Sequence, residues 1–254
     1  MDSKNLPGGR APRPIDHKSS NFLRIASFVD GENLVCAVCG RRLDNDNFRA
    51  DRYGNVACAH HDIEPCVFCG RILSGSCAVI PHYGKACPKC TGPLTYPELE
   101  TVRAFVYDFF KRRRLYVPEF RLRLLSAGEM YAQHGAPDGS APMGVALNCG
   151  GVYEIHLMRN NSRIGLAKTL AHELTHLWQW HRGIDAPDNY CEGFCNLVAS
   201  MVISEISKEE ALVRLHDMME NPDESYGVAF RELKIVCDVY GWDTVIAAMK
   251  KFTK

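Results

Sequence analysis

His172 and His176 stand four residues apart in the run Leu170-Ala171-His172-Glu173-Leu174-Thr175-His176-Leu177-Trp178, a spacing that brings two imidazoles to one face of a helix and over one metal ion. Glu173, between them, then lies beside that metal. There it is placed to take a proton from a water that the metal acidifies to a pKa of around 7, and to hand it to a departing amine. A motif this short also arises by chance, so a third ligand decides the reading. Glu192 follows His176 by sixteen residues, inside an apolar helical pattern that continues through Leu197, Val198 and Met201. A carboxylate on a second helix, opposite the histidine pair, completes three protein ligands and leaves one position open for water. Asn196, one turn beyond Glu192, is spaced to accept the outer ring proton of His172 and fix its tautomer. Cys191 and Cys195 flank the acid as rival ligands, but thiolates would add negative charge and make the metal a poorer Lewis acid.

Cysteine chemistry dominates an earlier region, where eight of the twelve cysteines fall between Cys36 and Cys90. Cys36-x2-Cys39 is followed by Cys58-x2-His61, and Cys66-x2-Cys69 by Cys87-x2-Cys90, so each pair of brackets offers the four ligands of a closed tetrahedral zinc site. The brackets belong to a repeat offset by thirty residues: Cys36, Cys39, Gly40, Arg41, Leu43 and Tyr53-Gly54 recur as Cys66, Cys69, Gly70, Arg71, Leu73 and Tyr83-Gly84. A redox pair or coincidence explains one bracket, not four in a repeat. His60 competes with His61, and the Cys-x-x-His spacing favours His61. The glycine after each opening bracket suits a tight knuckle whose amides face the thiolates, and Cys77, outside the brackets, reads as a buried apolar filler.

These groups need elements to hold them. The polar, Pro- and Gly-punctuated residues 1–30 read as a flexible leader. Thr95 to about Leu115 has helical spacing at Leu99, Val102, Phe105, Val106 and Phe109, and the basic run Lys111 to Arg114 reads as a favourable charge cluster in its last turn rather than a binding patch. Phe120 to Leu125 alternates as a half-buried strand, and Gly144 to Leu157 gives further strand-like runs broken at Gly150-Gly151. The run Gly151 to Leu157 reads either as a sheet edge bordering the cleft, to which an extended peptide adds as another strand, or as an internal strand. After Ser162 the pattern is helical, with breaks near Asp185 to Asn189 and Asn221 to Asp223.

Lys plus Arg and Asp plus Glu are 30 each, and residues 31–92 carry seven of the former against six of the latter, a net of +1. Neither balance is the footprint of a nucleic-acid reader or a membrane-surface binder. No run approaches the roughly 20 apolar residues of a bilayer span, and Met1-Asp2-Ser3-Lys4-Asn5 lacks a secretory apolar core, so the expected compartment is the cytoplasm.

Together the zinc brackets, His172-Glu173-Leu174-Thr175-His176, Glu192-Gly193-Phe194-Cys195 and Tyr226-Gly227-Val228-Ala229-Phe230-Arg231 resemble the LIM-domain peptidases of plants that limit organ growth, the "DA-one" family, over about residues 34 to 250. The compact chain looks most like a bacterial relative of them. The resemblance implies a gluzincin-type catalytic domain acting on selected intracellular proteins. Ubiquitin activation, known in that family, is not carried over, because acidic, Ala-rich helices of the ubiquitin-interacting kind are not found before this shorter module. The expected fold is α+β: a gluzincin-like, mainly helical catalytic domain over 94–254 with a small antiparallel sheet, preceded by a LIM-like double-zinc module over 31–93. The expected activity is zinc-dependent hydrolysis of peptide bonds, with one catalytic and two structural zinc ions. Tyr226 is the candidate for stabilising the oxyanion, since a phenol donates a hydrogen bond without competing for the metal. The LIM-like module would contact a protein partner; a rival reading makes the whole chain a LIM-like adaptor with an inactive peptidase domain.

Overall fold

The thirty-residue repeat becomes two hairpins. In the computed structural model, which describes residues 34–43, 48–92 and 94–253, β1 (Phe48–Ala50) pairs antiparallel with β2 (Val56–Cys58), and β3 (Ala78–Ile80) with β4 (Gly84–Ala86). The expected leader lies outside the described residues. A helical turn, α1 (Pro88–Thr91), follows. Chain order then runs α2 (Tyr96–Arg112), β5 (Phe120–Leu125), α3 (Ala127–His134), β6 (Gly144–Cys149), β7 (Val152–Met158), α4 (Arg163–His181), α5 (Asp188–Ser204) and α6 (Glu209–Glu220). A π-helical turn (Glu224–Val228), α7 (Ala229–Tyr240) and α8 (Trp242–Lys250) complete it. The class is α+β, and among the described residues no helix is long and apolar enough to cross a membrane.

Two compact units emerge. The first takes in 34–92 together with Ser126–Pro142 and Arg159–Ser162. Within it the Tyr83 hydroxyl donates to the Pro142 carbonyl at 2.8 Å, and the His82 ring stacks on Tyr131 with centroids 3.6 Å apart. Asp51 ties the two repeats to each other. Its buried carboxylate accepts the amides of Tyr53 and Asn55 at 2.8 and 2.9 Å, and across the repeat boundary the amide of Ile72 at 2.7 Å.

The second unit comprises Leu94–Leu125, Met143–Met158 and the chain from Arg163 onward. Its sheet has the order β5-β7-β6. β6 and β7 form an antiparallel hairpin over Gly150 and Gly151, whose φ angles of 65° and 92° suit a two-residue turn of the primed kind. β5 lies on the other side of β7 and runs parallel to it, from Phe120↔Tyr153 to Leu125↔Met158. β7 is therefore the central strand, paired on both sides, and the expected edge role of Gly151 to Leu157 is overturned; the edges are β5 and β6. Alternation marks a strand but not its place in the sheet, and the last four residues of β7, Ile155 to Met158, are all buried.

The helices pack where their apolar spacing dictates. α2 begins at Thr95, whose amide donates to the Glu98 carboxylate at 2.9 Å, and buries Leu99, Val102, Val106, Phe109 and Phe110. The same Glu98 carboxylate pairs with Arg163 at the start of α4. α4 is buried along most of its length, polar residues included, and packs most extensively against α5. Gly193 on α5 lets the start of α7 come close: a Cβ there would meet the Ala229 carbonyl carbon at 2.8 Å.

Candidate metal centre

Burial of Leu170, Leu174, Leu177 and Trp178 fixes the rotation of α4 about its axis and leaves His172 and His176 turned to Glu192 on α5. The two Nε2 atoms are 3.2 Å apart, and the Glu192 carboxylate lies 3.1 Å from that of His172 and 3.6 Å from that of His176. Metal bonds of 2.0–2.1 Å at tetrahedral angles put neighbouring donor atoms about 3.3 Å apart. The three side chains are thus spaced as ligands of one ion. Glu192 Oε2 is buried and has no hydrogen-bond partner among the described residues, which suits an oxygen that serves a cation. Burial opposes ionisation of Glu192, but the His172 and His176 rings outweigh it and hold the carboxyl below the ordinary carboxylate range.

Two carboxamides set the histidine tautomers. Asn196 Nδ2 donates to the Tyr226 carbonyl at 2.7 Å, so the Asn196 oxygen is the end that meets His172 Nδ1 at 3.1 Å. A carboxamide oxygen only accepts; Nδ1 therefore carries the proton and Nε2 keeps its lone pair for the metal. His176 repeats the arrangement with Gln179, whose Nε2 donates to the Cys191 carbonyl at 3.0 Å and whose Oε1 lies 3.2 Å from His176 Nδ1. The expected role of Asn196 is matched in position. Gln179 went unread, although its place one turn after His176 was the available signal.

Cys195 offers a different ligand set, with His172 and His176. Its sulfur, however, sits 3.4 Å from Nδ1 of His176, on the side of the ring away from the Glu192 contact, and 3.5 Å from the Gln179 oxygen. Burial pushes the Cys195 thiol up to about 12, so it stays protonated and suits a donor to Gln179 better than a metal ligand. Burial likewise disfavours a charged His176, while the Glu192 carboxylate against it works the other way and raises its pKa above the histidine norm. The cluster favours positive charge at its centre.

Glu173 is buried beside the ligands, and burial pushes its carboxyl above the usual range against the pull of the two histidines. The amide of Ala146, on edge strand β6, donates to it. Gly144 allows that approach: a Cβ there would stand 2.4 Å from Thr169 Cγ2 and 3.0 Å from Glu173 Oε1. The Tyr226 ring lies 6.1 Å from the His172 ring, centroid to centroid, positioned by the π-helical turn that Asp223 caps through the amides of Ser225 and Tyr226, both at 2.9 Å. Burial, then the Glu192 and Glu173 charges, raise the Tyr226 phenol, so it remains a donor. On the other flank, Trp180 stacks on His176 at 5.9 Å and on Tyr153 at 6.5 Å, an aromatic wall that sequence reading did not single out.

In the first unit Cys36, Cys39, Cys58 and His61 form one ligand group and Cys66, Cys69, Cys87 and Cys90 another. Cys39 and Cys58 sulfurs are 3.8 Å apart, and those of Cys69 and Cys87 3.7 Å. Tetrahedral metal–sulfur bonds of 2.3 Å predict about 3.8 Å, whereas a disulfide needs about 2.0 Å. All twelve cysteines are free, and both groups are compatible with a bound zinc-sized ion. His61 Nε2 is buried without a hydrogen-bond partner among the described residues while His60 is exposed, which favours His61 as the ligand. Gly40 and Gly70, at φ 71° and 77°, close the knuckles. Amides of the later bracket also reach the first thiolate of each group, Cys58 to Cys36 at 3.4 Å and Cys87 to Cys66 at 3.3 Å. Burial would raise the Cys36 thiol, but the amides of Cys58, Cys39 and Val38 bring it down to about 6. Cys77 is exposed, so the buried-filler reading is corrected.

No family model, curated protein or solved structure matches this chain. The likeness to LIM-domain peptidases accordingly rests on the motifs alone.

Proposed function

We propose that the chain is a zinc-dependent peptidase of the gluzincin type, cutting protein substrates at a centre held by His172, His176 and Glu192. The observation that carries this reading is the convergence of those three donors at 3.1–3.6 Å with the buried carboxylate of Glu173 beside them. Two imidazoles and one carboxylate suit zinc, and three protein ligands are the number found where the metal works on a substrate rather than only holding a fold. Zinc bound there would supply Lewis acidity to the scissile carbonyl and to water. Glu173 takes the proton of the attacking water and delivers it to the leaving amine; its raised pKa brings it closer to working pH, which serves both transfers. Tyr226, kept protonated, donates to the oxyanion. An extended substrate adds to β6, whose outer side is unpaired among the described residues and whose Ala146 amide already faces Glu173. The paired cysteine sites form a LIM-like double-zinc module that scaffolds the first unit and offers a surface to a protein partner.

The test is cleavage of an unstructured protein such as casein by the purified chain, with zinc content measured on the same samples. Chelation should abolish cleavage and zinc should restore it, and Glu173→Gln should retain zinc while losing at least ~10²-fold in turnover. Cleavage that survives Glu173→Gln would refute the assignment.

A further inference from the structure

We propose that the second unit carries an anion site apart from the metal ligands, at the C-terminal ends of α2 and α4 and the α7–α8 junction, and that it takes a small molecule bearing two or more phosphoryl groups. Arg112, Arg113 and Arg114, where α2 ends, line a cavity of about 420 Å³ with Tyr240 and Trp242, and an adjoining cavity of about 150 Å³ adds Trp178, Arg182 and Lys250. The two share Arg113, Arg114, Trp242 and Asp243. A single cation at a helix C-terminus is the ordinary complement of the helix dipole. Cations from three helix ends facing one concavity are not explained that way.

Arg112 is already engaged, with Asp108 at 2.9 Å and Glu205 at 2.7 Å. Arg113 lies over the Phe109 and Trp242 rings, 5.5 and 5.8 Å from their centroids, which holds its guanidinium in place. Arg114, Arg182 and Lys250 make no ion pair among the described residues, and all three are exposed. Arg114 occupies the left-handed region at φ 57°, where glycine would sit without strain. Trp178, 1% exposed, forms part of the wall of the smaller cavity beside these cations.

Charge selects the ligand class. Arg113, Arg114, Arg182 and Lys250 less Asp243 leave three positive charges. One phosphate carries about −1.5 to −2 at pH 7, so two or more phosphoryl groups are needed for balance. Guanidinium forks match phosphoryl oxygens in pairs, and the larger cavity has the size of a small-molecule site. A compact concavity favours that over an acidic peptide, whose charges are strung out at about 3.3 Å per residue.

Tripolyphosphate, titrated into the full zinc-loaded chain, is the probe. Two of the three tryptophans line the cavities, so intrinsic fluorescence and calorimetry should both report saturable binding that weakens with salt. Arg114→Ala/Arg182→Ala, altering two exposed and unpaired side chains, should keep the melting temperature and bind at least tenfold more weakly. Inorganic phosphate should also bind at least tenfold more weakly than tripolyphosphate. Equal binding by the parent and the double variant, as sequestration of zinc by the probe would give, overturns the proposal. So does absence of binding, or tighter binding of an oligoglutamate peptide.

Discussion

Replacing Asn196 by alanine isolates the support of one ligand from the ligand itself. The substitution removes the oxygen that holds His172 Nδ1 at 3.1 Å and the donor that holds the Tyr226 carbonyl at 2.7 Å, at a position only 5% exposed where water does not readily take their place. Two hydrogen bonds worth about 1 kcal/mol each amount to about 2 kcal/mol, or about 30-fold in an equilibrium constant. That lies inside the ~10–100-fold range by which loss of such partners weakens metal binding elsewhere. Competition against a chromophoric chelator, followed at fixed pH, should therefore show one zinc held about 30-fold less tightly and the other two unchanged. Asn196→Asp keeps the acceptor for His172 but sets an oxygen against the Tyr226 carbonyl. It should lose about fivefold in zinc affinity, for the one bond of about 1 kcal/mol it forfeits, and so less than the alanine variant, while turnover falls. If Asn196→Ala binds all three ions as before, the tautomer argument is wrong; if it loses all three together, Asn196 supports the fold rather than the ring.

Elemental analysis should find about three zinc ions per chain, and a value near one would dismiss the two cysteine groups as metal sites. Cys87→Ser should unfold the first unit, whereas His172→Ala should empty only the third site. Tyr226→Phe should leave zinc and substrate binding intact and lower turnover ~10²–10³-fold, the loss typical of one oxyanion donor; unchanged turnover would take the phenol out of the chemistry. Asp51→Ala strands the amides of Tyr53, Asn55 and Ile72 and should destabilise the first unit by about 2–4 kcal/mol, read as earlier zinc release in a urea titration. Release at the parent's urea concentration would show that the two repeats do not depend on that carboxylate.

What could be read from the sequence was local. Bracket spacing needs only a turn, and the His172/His176 and Glu192/Asn196 relations need only a helix's period, so these positions were visible without knowing how the helices pack. α3 also announced itself through Ser126 and Glu129, which form a capping box with the Ser126 amide 2.7 Å from the Glu129 carboxylate, yet eight residues give too little periodicity to register. Relations that depend on tertiary packing were not legible. The parallel pairing of β5 with β7 arises because α3 and β6 intervene between them, and the alternation of Arg and Leu in β5 carries no trace of its direction. Lys111 to Arg114 likewise read as one helix end, because Arg182, Trp242 and Lys250, far along the chain, define the concavity around it.

The two carboxamide braces differ in origin, and that sets an order of failure. Gln179 reaches His176 from within α4, so it stays within reach of the ring while that helix keeps its turns, although the Cys191 carbonyl on α5 is what orients its amide. His172 is braced by Asn196, which shares α5 with Glu192. Any loosening that draws α5 away from α4 therefore removes one ligand and the brace of another in a single event, while His176 keeps its Gln179 neighbour and loses only the tie that orients it. On warming, the centre would lapse with the seam between two intact helices, ahead of the melting of either.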